Sequence, residues 1–292
     1  MELGYLYAFG AFACIGSYMV PVRFATAKGL SFLPFMGLGM AVLELFRFHS
    51  LQALWGHPYW FWASILSGLL WACGQSLANL ALEEVSLAKA SVLFNVNSLV
   101  NIAFGLIVFH EASGLKAYLL LLAGGSLLFL GAWWVAHLSA APRKERDLEK
   151  GVLFGLLAGF FWGVYFAPIK AAQVWDPQNT LTSSDALTGL ILGGIGPALL
   201  VGSAGLSKNW NLRNLGFGVA TAALWIMGTT CFLLAIDALG LSRAVPIVNA
   251  SGLVYTCWSL FVFKEFPISL WPKVLGGTLI VIAGVVLMAF SK

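Results

Sequence analysis

Long apolar runs recur from one end of this chain to the other, and they dictate its solvent. They fall near residues 4–22, 31–48, 58–82, 86–109, 115–137, 151–170, 185–205, 214–238, 242–263 and 268–290, divided by charged or turn-rich joints. As a helix, about twenty residues cross roughly 30 Å of hydrocarbon. Only 10% of the 292 residues are charged, whereas soluble domains carry about a quarter. So little charge cannot cover a water-facing surface. Backbone groups in lipid must pair within helices or a closed barrel. The runs are continuous and do not alternate polar with apolar, which excludes a barrel. The sequence predicts an all-α polytopic membrane protein of ten transmembrane helices. The first run has an acidic second residue and neither a basic flank nor a small-residue cleavage site, so it reads as a retained span.

A phrase is written twice. Gly16–Arg23 reads GSYMVPVR and Gly163–Lys170 reads GVYFAPIK, with Tyr18 and Tyr165 147 positions apart. Downstream the echo continues at an offset of 154. It pairs Trp71 with Trp225, Lys89 with Arg243, Asn95 with Asn249 and Glu111 with Glu265. The polar stretch WDPQNTLTSSD holds the seven extra residues. The chain therefore reads as a first five-helix repeat over 1–141, a polar linker over 142–150 (PRKERDLEK) and a second five-helix repeat over 151–292. Five crossings per copy invert the second relative to the first. Inverted repeats are a transporter signature, with the solute site near the midplane between the halves. Each copy of the phrase is expected to close the first helix of its repeat, with a proline kink and a cation that snorkels to the interface.

Ten helices in this arrangement resemble the drug/metabolite transporter superfamily and its EamA-like fold. GLLWACGQ (Gly68–Gln75), VSLAKAS (Val85–Ser91), GLIVFHE (Gly105–Glu111) and GSYMVPVR resemble the glucose/ribose/rhamnose sugar porters within it. The resemblance implies uptake of a monosaccharide driven by a proton or cation gradient. The fourth span departs from it with VLFNVNSLVN (Val92–Asn101), an amide-rich run that would also suit a nucleobase or an amide-bearing solute.

Several polar residues inside the spans are candidate solute ligands, because polar side chains in a span face the bundle interior or a water-filled cavity. Trp71, Gln75 and Asn79 follow i, i+4, i+8 spacing and share one helix face. A tryptophan face packs on the apolar side of a sugar ring while amides meet its hydroxyls. The competing reading is interhelical hydrogen bonding. The eighth span repeats Trp225 but has Thr229 for Gln75 and Leu233 for Asn79, so a lopsided cavity is expected. Asn97 and Asn101 share a face, whereas Asn95 points about 160–200° away on a regular helix. The three are thus not expected to line one cavity. Asn95 and its partner Asn249 have either a paired site role or a paired structural one. Tyr18 and Tyr165 are cavity hydroxyls or belt aromatics. Glu44 is the acid most deeply set in a span and the candidate coupling residue; the alternative is an i, i+3 ion pair with Arg47. Glu111 and Glu265 fall at span ends and are expected to be solvated.

The four cysteines have no metal-ligand spacing and read as small buried hydrophobes. No phosphate loop, nucleophile–base pair or histidine cluster is present in the sequence. The chain is therefore expected to be neither an enzyme nor a cofactor or nucleic-acid binder. Its expected partners are the lipid bilayer, a small-molecule solute and a proton or cation as co-substrate. A receptor or scaffold is the reading from another class, and the repeat weighs against it. Arg23, Lys28, Lys89, Arg143, Lys144, Arg146, Lys150, Lys208, Arg213, Lys264 and Lys273 fall on one side of the membrane; Arg47, Lys116, Lys170, Arg243 and Lys292 fall on the other. The positive-inside rule makes the richer side cytoplasmic and puts both termini outside a cell (inner) membrane.

Overall fold

The structure is a computed structural model that describes residues 2–109, 114–138, 147–176, 181, 183–239, 244 and 247–290. Among these the chain is all-helical: α1 (Glu2–Ile15), α2 (Val20–Phe24), α3 (Leu33–Glu44), α4 (Phe48–Trp55), α5 (Pro58–Glu84), α6 (Leu87–Phe94), α7 (Val96–Ile107), α8 (Leu115–Ala136), α9 (Leu148–Val164), α10 (Ala167–Trp175), α11 (Ser183–Asn209), α12 (Leu212–Leu239), α13 (Gly252–Cys257) and α14 (Trp271–Ala289), with short 3-10 and π turns between some of them. Proline stands in the first turn of α2, α3, α5, α10 and α14, where its missing N–H has no intrahelical partner to lose. Ser86 and Asp147 cap α6 and α9 by accepting the amides of Lys89 and Lys150.

Nine helices among the described residues are long and apolar enough to cross a membrane, running from Glu2–Phe24 to Ile268–Met288. A shorter apolar helix, Ile247–Val262, falls where the sequence places its ninth span. Glu111, Arg243 and linker residues 142–146 lie outside the described residues.

Two spans break where the repeated phrase sits. Glu2–Phe24 leaves α1 at Ile15, turns over residues 16–19 and restarts as α2, with Pro21 in the first turn. Leu148–Trp175 turns at residues 165–166 and restarts as α10 at Ala167, with Pro168 in the first turn. The phrase is thus a break and restart inside a span rather than its end, because proline is well placed to begin the second segment. Asn95 separates α6 from α7: its side-chain amide donates to the Ser91 carbonyl at 3.0 Å and competes with the helical ladder. Residues 250–251 form a matching turn before α13.

Contacts between spans exchange in pairs. Gly4 packs on Leu239 and Gly151 on Val85; Gly16 packs on Val254 and Gly163 on Val100. Likewise Gly228 meets Ile15 and Gly74 meets Trp162, while Gly39 meets Val219 and Gly193 meets Ile65. Offsets of 147 and 154 convert one contact into the other in the first three couples, and 154 at both positions does so in the fourth. These glycines exist for close approach. A Cβ on Gly193 would enter the Ile65 carbonyl oxygen, whereas one on Gly216 would meet nothing within 4 Å. Gly193→Ala is therefore expected to cost about 1–3 kcal/mol through overpacking, and Gly216→Ala nothing comparable. Thermal unfolding in detergent measures both; equal midpoints would mean that the crossing relaxes freely.

Candidate functional site

One end of the bundle is sealed. Arg23 pairs with Glu265 at 2.9 Å, both nearly buried, and donates to the Val85 carbonyl at 3.2 Å. Glu265 also accepts the Leu87 amide at 2.9 Å and the Ser259 hydroxyl. The expectation of a solvated Glu265 is corrected: the α6 amide end and the Ser259 hydroxyl offer donors, and Arg23 reaches the carboxylate from the broken first span. Beside it, Asn214 accepts the Thr26 and Ala27 amides and donates to the Asn209 carbonyl, tying two loops together. Lys28 donates to the carbonyls of Val22 and Arg23.

Away from that end lies a cavity of about 480 Å³. Its size is that of a small-molecule site. Trp71 and Trp225 line it and pack ring on ring, 4.4 Å between centroids. Tyr18, Phe94, Trp162 and Tyr255 complete the aromatic floor; Trp162 lies 6.4 Å from Tyr18 and 5.0 Å from Phe94. Asn95, Asn97, Asn101, Gln173 and Asn249 supply amides, and Ser98, Thr229 and Tyr165 add hydroxyls.

The structure brings together Tyr18, Trp71, Asn95, Asn97, Tyr165, Trp225 and Asn249 of the sequence candidates. All three asparagines of VLFNVNSLVN line this one cavity, contrary to the regular-helix expectation. The break at Asn95 resets the helical phase, so residues on opposite faces of one ideal helix converge. Gln75 and Asn79 do not line the cavity. Each is 1% exposed, and they form a hydrogen-bonded layer behind Tyr18. Glu44 lies at the end of α3 away from the cavity, buried, with Arg47 Nε 3.8 Å from its carboxylate.

Sequence reasoning missed Gln173 and Tyr255 and gave Lys170 to the interface. Lys170 lines the cavity instead. The signal was present: Phe166, Ile169, Lys170 and Gln173 follow 3–4–7 spacing and share a face of α10. The cysteines are free thiols, Cys73 exposed and the others half-buried, so the expectation of buried ones is not met. Gly155, Gly159 and Gly163 pack against Leu93, Val96 and Val100 of the same chain.

Among the described residues the cavity lining contains Lys170 as a cation and no carboxylate. Asn101, Gln173 and Asn249 line the cavity and make no hydrogen bond to the described residues. Such a surface combines an aromatic platform with amide and hydroxyl donors and acceptors and one lysine. It suits a polar molecule without positive charge and offers no carboxylate to neutralise a cation.

A Listeria monocytogenes protein named "Putative sugar uptake protein" is 25% identical over 239 residues, 80% of each chain. The "Probable glucose uptake protein GlcU" of Priestia megaterium is 23% identical over 238 residues, 79% of each. A solved crystal structure overlays with a TM-score of 0.57 at 17% identity, covering 98% of this chain and 96% of that one, which speaks to the fold alone. Residues 149–290 match the EamA-like transporter family. Over its second half the chain is thus similar to EamA-like transporters, and over about four fifths of its length to proteins named for sugar uptake.

Proposed function

We propose that the protein takes up a monosaccharide by alternating access between two inverted five-helix halves. The observation that carries this is the cavity itself: an aromatic floor, walls with five amides of which Asn101, Gln173 and Asn249 are unengaged among the described residues, and no carboxylate among the described lining residues. The names of the relatives point the same way. The exchanged glycine contacts support two copies of one five-helix unit, and an odd number of crossings inverts the second. The ten-span count completes that unit with Ile247–Val262. The excess of lysine and arginine on the sealed side supports placing it in the cytoplasm, with both termini outside and the cavity open outward. Trp71, Trp225, Tyr18, Tyr165, Asn95, Asn97 and Asn249 contact the solute in this reading.

Glu44 is the proposed proton carrier. It is an acid buried in a span, and uphill uptake needs a group whose charge changes with the state of the carrier. Purified protein in detergent should be stabilised by glucose, ribose or rhamnose and not by nucleobases or amino acids, because a ligand that binds only the folded state raises its unfolding midpoint. Stabilisation by a nucleobase alone would replace the sugar. In proteoliposomes, Glu44→Gln is expected to abolish accumulation driven by a pH gradient and to leave downhill exchange intact, since Gln resembles the protonated acid. A variant that still accumulates sugar makes Glu44 structural.

A further inference from the structure

The layer behind the cavity has a direction. Asn79 Nδ2 donates to the Gly29 carbonyl at 3.3 Å. A carbonyl only accepts, so this bond fixes which end of the Asn79 amide faces Gly29. The Asn79 oxygen is then turned to Gln75, whose Nε2 donates to it at 3.1 Å and touches Met19 Sδ at 3.2 Å. Gln75 Oε1 is left for Tyr18, whose hydroxyl donates to it at 3.2 Å. Turning either amide over would set oxygen against oxygen in a site without water-facing surface. The anchor is rigid as well. Gly29 has a φ of +51°, and the Glu83 carboxylate packs where a Cβ would stand. A backbone carbonyl three residues away along this chain of bonds therefore determines where the proton of a cavity hydroxyl goes.

We propose that Asn79 and Gln75 are positioning residues that commit the Tyr18 proton to the protein, so the solute must bring a hydrogen-bond donor to the Tyr18 oxygen. The second half of this statement rests on the solute-uptake reading above. At that point the cavity accepts a hydroxyl or an N–H. It rejects an ether, a fluorine or a carbonyl oxygen of the same size, because two acceptors would then face each other. Tyr255 is the protein's own hydroxyl partner of Tyr18, with ring centroids 6.3 Å apart; where it donates to the Tyr18 oxygen it fills one lone pair and leaves the other to the solute, so Tyr255→Phe serves as the control.

Two measurements on the full chain test this. The first needs no solute. The intensity ratio of the tyrosine Raman doublet separates a phenol that donates from one that accepts. Subtracting the Tyr18→Phe spectrum isolates Tyr18 among the seven tyrosines. A donor ratio is expected in wild type and in Tyr255→Phe; an acceptor ratio in wild type overturns the proposal. The second uses glucose and its set of deoxyfluoro analogues, since fluorine accepts but does not donate. At one ring position the analogue should bind wild type roughly tenfold more weakly or worse. That gap should close to within about threefold in Gln75→Leu, where the freed Tyr18 hydroxyl can turn and donate. A gap that persists in a folded Gln75→Leu protein overturns the positioning role. Should that variant not fold, the Raman ratio of the wild type still decides. If no sugar binds any variant while Tyr18 keeps its donor ratio, the monosaccharide reading falls and the fixed proton stands.

Discussion

A Glu265→Ala protein is expected to unfold well before wild type in detergent, with a loss of about 3–5 kcal/mol. The reason lies in what the substitution leaves behind. Arg23 is nearly buried, and its carboxylate partner is 2.9 Å away. Removing that partner takes the Glu265 charge away from a nearly buried guanidinium and orphans the Leu87 amide and the Ser259 hydroxyl. The double variant Arg23→Met, Glu265→Leu should recover much of the loss, because the ion pair itself gains little over apolar packing of similar volume. Thermal midpoints of the two single variants and the double variant form the cycle. Additive losses, or single losses below about 1 kcal/mol, are the values reported for exposed pairs and would mean that water reaches the seal.

The second large effect concerns the cavity floor. Trp71→Ala and Trp225→Ala should each weaken glucose binding about tenfold or more, near 1.4 kcal/mol, and by similar amounts. Each ring supports the other at 4.4 Å, so truncating either unseats its neighbour. The double variant should then lose less than the sum of the two. From sequence alone a milder effect is expected for Trp225, because Thr229 and Leu233 replace the amides that follow Trp71. That asymmetry vanishes once Gln75 and Asn79 are seen behind the wall rather than in it. Titration of glucose against the three variants measures this, and a mild Trp225 effect would restore the lopsided site.

The spans were legible because lipid imposes a simple rule on composition, and nine of them emerge among the described residues near their expected places. The offsets of 147 and 154 were legible too, since the paired glycine contacts follow them. What the sequence hid depended on helix phase and on depth. Asn95 appears on the wrong face until its side chain takes the Ser91 carbonyl and interrupts the helix. Gln75 shares a face with Trp71, yet spacing reports the face and not the layer in which a side chain ends. Glu265 sits at a span end in sequence. Only the approach of Arg23 from 242 positions earlier, 265 minus 23, gives it a buried partner.

The broken spans have a mechanical consequence. An unbroken helix transmits a tilt along its whole length, so pushing one end moves the other. The spans that carry the phrase are instead two short rods with a turn between them, at residues 16–19 and 165–166. A third turn stands at Asn95 and a fourth at residues 250–251. In the proposed alternating-access cycle these turns are the joints: the rods on the open side would swing inward around a bound molecule while those at the Arg23–Glu265 end stay seated, and the reverse stroke would follow release of that end. The unbroken α5 and α12, which carry Trp71 and Trp225, are the stiff members against which these joints bend.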